Sequence, residues 1–247
     1  MNFTITLAGH TIRIESLYDE IYRMCRDYLS RGTEPELTVS IRPADIEAEQ
    51  ERSAKQDLRE GRQLAVYPDA YLETLAVYRQ IADAMPERGV FLLHGSAVAV
   101  GERGWIFTAP SGVGKTTHTK LWLDNIEGSY VVNGDKPLIC RTDSGFQVCG
   151  TPWAGKEGWN RNTAVSLQGI VYLQRGAENR ITRVSAGEIL PLLISQTYRP
   201  SDVEAQKASL ALLQAACGEL AFYKLACNME PDAAYTAFRG LTLHAAS

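Results

Sequence analysis

No apolar run in this 247-residue chain approaches the ~18 residues that a membrane-spanning helix requires, so no membrane span is expected. Lysine and arginine form no run and the net charge is −4, so the basic stripe that a nucleic-acid partner demands is missing. The cysteines are five, Cys25, Cys140, Cys149, Cys217 and Cys227. Their odd number, wide spacing and lack of any CxxC pair exclude a disulfide framework and a zinc site, and a reducing cytoplasm fits them. The opening stretch, MNFTITLAGHTIRIE, alternates and carries Arg13, unlike a signal or transit peptide. No internal repeat is visible.

What is present is an ordinary globular balance, 45% hydrophobic and 22% charged, sufficient for a real core. The length suits one large domain, or one domain with an elaborated end. Phe3, Ile5 and Leu7 alternate, Ala8-Gly9 turns, and Ile12 and Ile14 return as a hairpin. Ser16-Leu17-Tyr18-Asp19 has the spacing of a capping box before a helix that ends by Gly32, and Leu37, Val39 and Ile41 read as a strand. Residues 44–62 are strongly charged with little apolar periodicity and read as a solvated helix or connection. A helix follows from Asp69, closed by Pro86 and Gly89. Residues 90–100 read as one long buried strand, residues 101–104 as a tight turn, and residues 105–108 as its return. Farther on come a helix over 115–125, strands near 130–133, 138–141 and 146–149, a glycine-rich aromatic loop over 150–162, and strands near 167–174, 180–184 and 220–226. Two further capping boxes, at Ser185 and Ser201, start apolar helices, and a last helix covers 232–239.

The chemistry concentrates in APSGVGKT, residues 109–116, which fits the phosphate-binding loop pattern with Ala109 in place of the first glycine. Gly112 and Gly114 let the backbone curl so that the N–H groups of Ser111, Gly112, Val113 and Gly114 face one anion. The helix beginning there adds the positive end of its dipole. Lys115 supplies a point charge to the outer phosphates, and the Thr116 hydroxyl is placed to ligate a Mg²⁺ that bridges them. Thr117 is a weaker candidate for the same site. His118 reads as a helix-surface residue and Ser96 as structural. The preceding strand and following helix are the context that this loop needs.

Residues 90–122 and 131–139, with His94-Gly95 on the strand before the loop and Asp135 about 20 residues beyond Lys115, resemble the kinase domain of the HPr kinase/phosphorylase family, a resemblance that covers roughly residues 90–184. That family shares its fold with ATP-dependent phosphoenolpyruvate carboxykinase. With GTPWAGK at 150–156, the chain looks like the small stand-alone bacterial members, some of which phosphorylate a serine on a peptide. The resemblance implies an α/β fold with a mixed sheet and the phosphate loop on a β-hairpin. It implies a kinase core over 89–247, with residues 1–88 as an N-terminal α/β elaboration packed on it. It further implies ATP and Mg²⁺, transfer to a Ser or Thr hydroxyl of a protein or peptide, Asp135, His94 and Lys115 in catalysis, and Thr116 and Asp135 at the metal. A homo-oligomer is left open.

The family shows two adjacent acids where this chain has Gly134-Asp135. One carboxylate role is therefore vacant: Asp135 holds the metal or serves as base. A nucleotide-sensing protein of weakened activity, in which Gly134→Asp would gain turnover, is the alternative; carboxykinase chemistry is a more distant one. Lys156 and Arg161 are candidates to neutralise transition-state charge, Arg199 to reach phosphate or a substrate carboxylate, and the aromatics of 150–162 to form a lid or peptide contact.

Overall fold

The computed structural model describes all residues except Arg31, Thr33, Glu60, Arg62 and 244–247. Contacts divide the chain into two compact units, residues 1–84 and 85–247.

In the first unit, β1 (Asn2–Leu7) and β2 (His10–Glu15) form an antiparallel hairpin whose turn is Ala8-Gly9. Helix α1 (Glu20–Met24) begins after Asp19, which makes no side-chain cap; the Ser16 hydroxyl instead donates to the Tyr18 carbonyl. The capping box expected at Ser16 is therefore a turn. The N–H groups of Leu17 and Tyr18 donate to the carboxylate of Glu73, which is fully buried. Strand β3 (Leu37–Ser40) joins β2 in parallel. Helices α2 (Pro43–Arg59) and α3 (Asp69–Ala84) pack on each other.

Helix α2 is less solvated than its composition suggests. Glu49 and Asp57 are buried; Glu49 is bridged by Arg79 and Arg52, and Asp57 accepts from the Tyr67 hydroxyl. Charged residues are buried this way only when paired. Glu60 and Arg62, at the end of the charged stretch, lie outside the described residues.

The second unit is built on a nine-stranded mixed sheet. The stretch 90–100 is not one strand. It forms β4 (Val90–Leu92) and β5 (Ser96–Val100), with Leu93, His94 and Gly95 between them. The two halves have different neighbours. Strand β5 turns through Gly101-Glu102 into β6 (Arg103–Thr108), its antiparallel partner, and is flanked on its other edge by β7 (Ser129–Asn133). Helix α4 (Lys115–Asn125) connects β6 to β7. Strand β4 pairs instead with β8 (Leu138–Thr142), which turns into β9 (Gly145–Cys149). One long strand cannot serve both sets of partners, and the break at His94 is the result.

Strand β10 (Ala164–Arg175) runs parallel to β6 along one edge. Its other edge is shared between β9 and β12. After β11 (Arg180–Val184) come α5 (Ala186–Gln196), α6 (Val203–Glu219), β12 (Ala221–Cys227) and α7 (Asp232–Leu243). Helix α5 starts in a full capping box on Ser185, whereas α6 is capped by Asp202, one residue later than expected, whose carboxylate accepts the N–H groups of Glu204 and Ala205.

Both sheet faces are covered. Alternation along β6 sends Ile106 into a cluster with Leu93, Ile189, Leu193 and Leu213, while Trp105 and Phe107 enter another with Trp122, Ala234 and Leu241. Truncating a buried side chain in either cluster to Ala costs roughly 2–5 kcal/mol. This packing anchors the C-terminal end of β6, where the glycine loop begins.

Candidate functional site

A cavity of about 440 Å³ opens where the glycine loop, the β4–β5 break and the loop after β9 come together. The glycine loop contributes Ser111, Gly112, Gly114, Lys115, Thr116 and Thr117; the break contributes His94; the end of β7 contributes Gly134 and Asp135; the later loop contributes Gly155, Lys156 and Glu157. Val113 faces a neighbouring cavity.

The loop backbone takes conformations open to glycine, with φ 79° at Gly112 and 128° at Gly114. Gly114 caps α4, so the unpaired N–H groups of the first helical turn lie at the cavity. Lys115 is nearly buried and its ammonium donates to the Ala109 carbonyl at 2.9 Å. Burial pulls its pKa below the ordinary lysine value, and nearby Asp135 works against that. The Thr116 hydroxyl has no hydrogen-bond partner among the described residues.

Asp135 is held from several sides. Asn133, fully buried, accepts the N–H groups of Asp135 and Lys136 on Oδ1, at 2.9 and 2.7 Å, and donates its Nδ2 to the carbonyl and hydroxyl of Thr151. This is a side-chain turn that fixes the backbone of Asp135. The Asp135 carbonyl accepts the Gly95 N–H at 2.9 Å, and the His94 N–H reaches the Gln196 carbonyl. His94 Nε2 lies 3.3 Å from Asp135 Oδ1, and His94 Nδ1 lies 3.2 Å from Gln196 Oε1. Burial pushes the Asp135 carboxyl upward, but the His94 hydrogen bond and the charges of Lys136 and Lys115 outweigh it and hold the pKa below the ordinary aspartate value.

Gly134 is set by close packing. A Cβ there would stand 2.9 Å from the Ala154 carbonyl oxygen and 3.4 Å from that of Trp159, to which the Gly134 N–H donates. A side chain at 134 would force the Ala154 backbone to shift, so an acid placed there carries a packing cost. A second carboxylate nevertheless lines the cavity. A Cβ placed on Gly155 would lie 3.6 Å from Asp135 Cγ and 3.8 Å from Glu157 Oε2, so the two carboxylates flank one glycine. Glu157 sits in a loop without periodicity, and nothing in the sequence singled it out. Asn133 was likewise missed, although Asn two residues before Asp is a recognisable turn signal.

Other expectations need correction. Arg161 does not enter the cavity; its guanidinium stacks 4.5 Å from the Tyr130 ring centre. Arg199 lines a separate cavity with Tyr198 and Leu213, and its Nε donates to Gln206. Trp153 is buried and Trp159 packs against the core, so neither forms an aromatic lid. His118 is not on the surface: it is 2% exposed, lies edge-on to Phe107 and accepts the Trp122 indole N–H on Nε2. Burial pushes its pKa down to about 4.

Among the described residues no group of three or more His, Cys, Asp and Glu forms a metal cage, and no helix is long and apolar enough to cross a membrane. A hard cation shared between phosphate oxygens and one or two protein oxygens fits these donors better than an all-protein site.

No protein-family model matches the chain, and no curated protein matches it in sequence. Among solved structures, the Hpr(Ser) kinase/phosphatase from Coxiella burnetii matches over 63% of this chain and 99% of its own, at 10% identity and a TM-score of 0.39. At that level nothing about residues or substrate passes from that structure to this one.

Proposed function

We propose that the chain is an ATP- and Mg²⁺-dependent phosphotransferase of the HPr kinase and phosphoenolpyruvate carboxykinase fold type, acting on a Ser or Thr hydroxyl of a protein or peptide. The observation that carries this reading is the convergence of the glycine loop, Lys115, Lys156 and the His94–Asp135 pair on one cavity. The loop N–H groups and Lys115 hold the phosphates, and Lys156 faces the charge that grows on the transferring group.

Asp135 takes the proton of the incoming hydroxyl as its oxygen bonds to the γ-phosphorus. The bond from that phosphorus to the bridging oxygen breaks, and ADP departs with the electron pair. His94 orients the carboxylate. Thr116 and Glu157 would hold Mg²⁺, which would supply charge neutralisation to the nucleotide. Asp135 is assigned to the base role because its backbone and carboxylate are both fixed, whereas Glu157 lines the same cavity from an exposed turn. Positioning and charge carry most of phosphoryl transfer, so a carboxylate of low pKa suffices.

The test is γ-labelled ATP with Mg²⁺ and a mixture of Ser- and Thr-containing peptides. Label is expected on hydroxyl side chains, lost in Lys115→Met and Asp135→Asn. Glu157→Gln should instead raise the Mg²⁺ concentration needed for half-maximal rate. Undiminished labelling by Asp135→Asn would remove the assignment, and tight ATP binding with no transfer to any hydroxyl would favour a nucleotide sensor.

A further inference from the structure

We propose that a cavity of about 250 Å³, between the end of α5 and the first half of α6, receives an acidic residue and its aliphatic neighbour from the acceptor peptide and so selects that peptide; the inference rests on the phosphotransferase reading of the glycine loop. This cavity shares no lining residue with the one at the glycine loop, yet one short segment ties the two together. Gln196 ends α5 and meets His94 twice, its carbonyl accepting the His94 N–H at 2.9 Å and its Oε1 lying 3.2 Å from Nδ1. The next two residues, Thr197 and Tyr198, pair with Leu93 and Leu92 and form one wall of the α5–α6 cavity. A peptide with its hydroxyl at Asp135, beside His94, reaches this cavity within a few residues when it runs along that segment.

The walls suit an apolar segment that carries one carboxylate. Ile194 and Leu210 are 48% and 55% exposed, and beside the buried Leu213 they leave aliphatic surface that an occupant would take out of water. Arg199 Nε donates to Gln206 Oε1 at 3.2 Å, which leaves the outer guanidinium N–H groups and the Gln206 amide N–H groups with no acceptor among the described residues. No described Asp or Glu lines the cavity, so the Arg199 charge is unmatched there. A carboxylate is the acceptor that a guanidinium fork binds most strongly.

Ser209 adds an independent sign of a ligand. It lines the cavity, is 5% exposed, and its hydroxyl has no hydrogen-bond partner among the described residues. That hydroxyl is not one of the polar atoms sealed from the surface, so an occupant can reach it. A hydroxyl so enclosed is costly to leave unpaired, and an oxygen of the occupant would satisfy it. The volume is below the ~300–1,000 Å³ usual for whole small-molecule ligands and suits one or two side chains of a longer chain.

Transfer from γ-labelled ATP with Mg²⁺ to a positional-scanning library of Ser-containing peptides, one position fixed at a time, tests the assignment. At one offset from the serine, Asp or Glu should be favoured over Lys by at least about tenfold, with Leu, Ile or Val favoured beside it. Arg199→Glu should abolish or reverse the charge preference and keep the aliphatic one, whereas Leu210→Gln should weaken the aliphatic preference and keep that for charge. Both positions are exposed, so neither substitution disturbs the core. A library labelled with no preference at any offset, or an Arg199→Glu protein that still favours Asp and Glu as its parent does, overturns the peptide cavity and leaves the phosphotransferase reading standing. No label on any peptide overturns the phosphotransferase reading itself, and this inference with it.

Discussion

His94 Nε2 stands 3.3 Å from Asp135 Oδ1, and the two residues meet because β4–β5 breaks just where β7 ends. The pairing is doubled in the backbone, where the Gly95 N–H donates to the Asp135 carbonyl. If Asp135 receives the hydroxyl proton and His94 aims it, their losses should differ in kind. Asp135→Asn should lower transfer by ~10²–10⁴-fold at saturating nucleotide. His94→Ala should lower it less and also change its pH dependence. The His94 hydrogen bond is one of the influences holding the Asp135 pKa down, so its removal raises that pKa and moves the acid limb of the rate profile to higher pH. Steady-state rates across pH decide this; an unmoved acid limb in His94→Ala would separate the two residues functionally.

Gly134 makes a prediction of opposite sign to the one its neighbours in sequence suggest. With a backbone oxygen 2.9 Å from where a Cβ would be, Gly134→Ala and Gly134→Asp must push the loop after β9 away from β7. Each is expected to cost about 1–3 kcal/mol of stability, as overpacked sites do, and to reduce transfer rather than restore it. Urea midpoints together with the transfer assay measure both effects. A Gly134→Asp protein that is as stable as its parent and faster would contradict the packing described here.

Legibility in the sequence followed the range of the forces involved. The glycine loop is encoded within eight consecutive residues, and its turn into α4, with positive φ at Gly112 and Gly114, follows from that local sequence. The β5–β6 hairpin also announced itself, through Gly101 and alternation on either side. The break at His94 was missed although His94-Gly95-Ser96 interrupts the apolar run, because the flanking apolar segments suggest one strand and the change of partner from β8 to β6 and β7 is a long-range event. His118 sat among polar neighbours on a helix with little amphipathic pattern, and it is α7, from the far end of the chain, that packs against α4 and closes over that cluster. Glu157 reaches the cavity through the turn at residues 155–158, which carries no periodicity from which its direction could be inferred.

Asn133 is expected to matter without touching any substrate. Its Oδ1 accepts two successive N–H groups and its Nδ2 reaches Thr151, so it joins the end of β7 to the loop after β9 while holding the backbone of Asp135. Asn133→Leu keeps the volume but leaves those donors and the Thr151 acceptors unpaired. A loss of about 1–3 kcal/mol is expected from unsatisfied buried groups. Transfer should fall with it, mainly through the rate at saturation, since the phosphate-holding groups come from the glycine loop. Denaturation curves and a split of kcat from KM test this, and an effect confined to KM would argue against a positioning role.

His118 should make stability depend on pH in a defined window. In the folded chain burial pushes its pKa down to about 4, while an unfolded histidine has the ordinary value near 6.5. Below about pH 6.5 the unfolded chain binds a proton that the folded chain refuses until about pH 4. Stability therefore rises with pH across that interval and is lost as pH falls through it, by roughly 3 kcal/mol for this group in full. His118→Gln supplies an amide oxygen for the Trp122 indole and cannot ionise, so it should lower stability at pH 7 only modestly and flatten this part of the curve. Urea denaturation of both proteins between pH 7 and pH 4.5 isolates the difference, because every other titrating group is common to the two. Parallel curves would mean that His118 is solvated enough to titrate normally, and the packing of Phe107, His118 and Trp122 beneath the glycine loop would then be looser than the contacts described above.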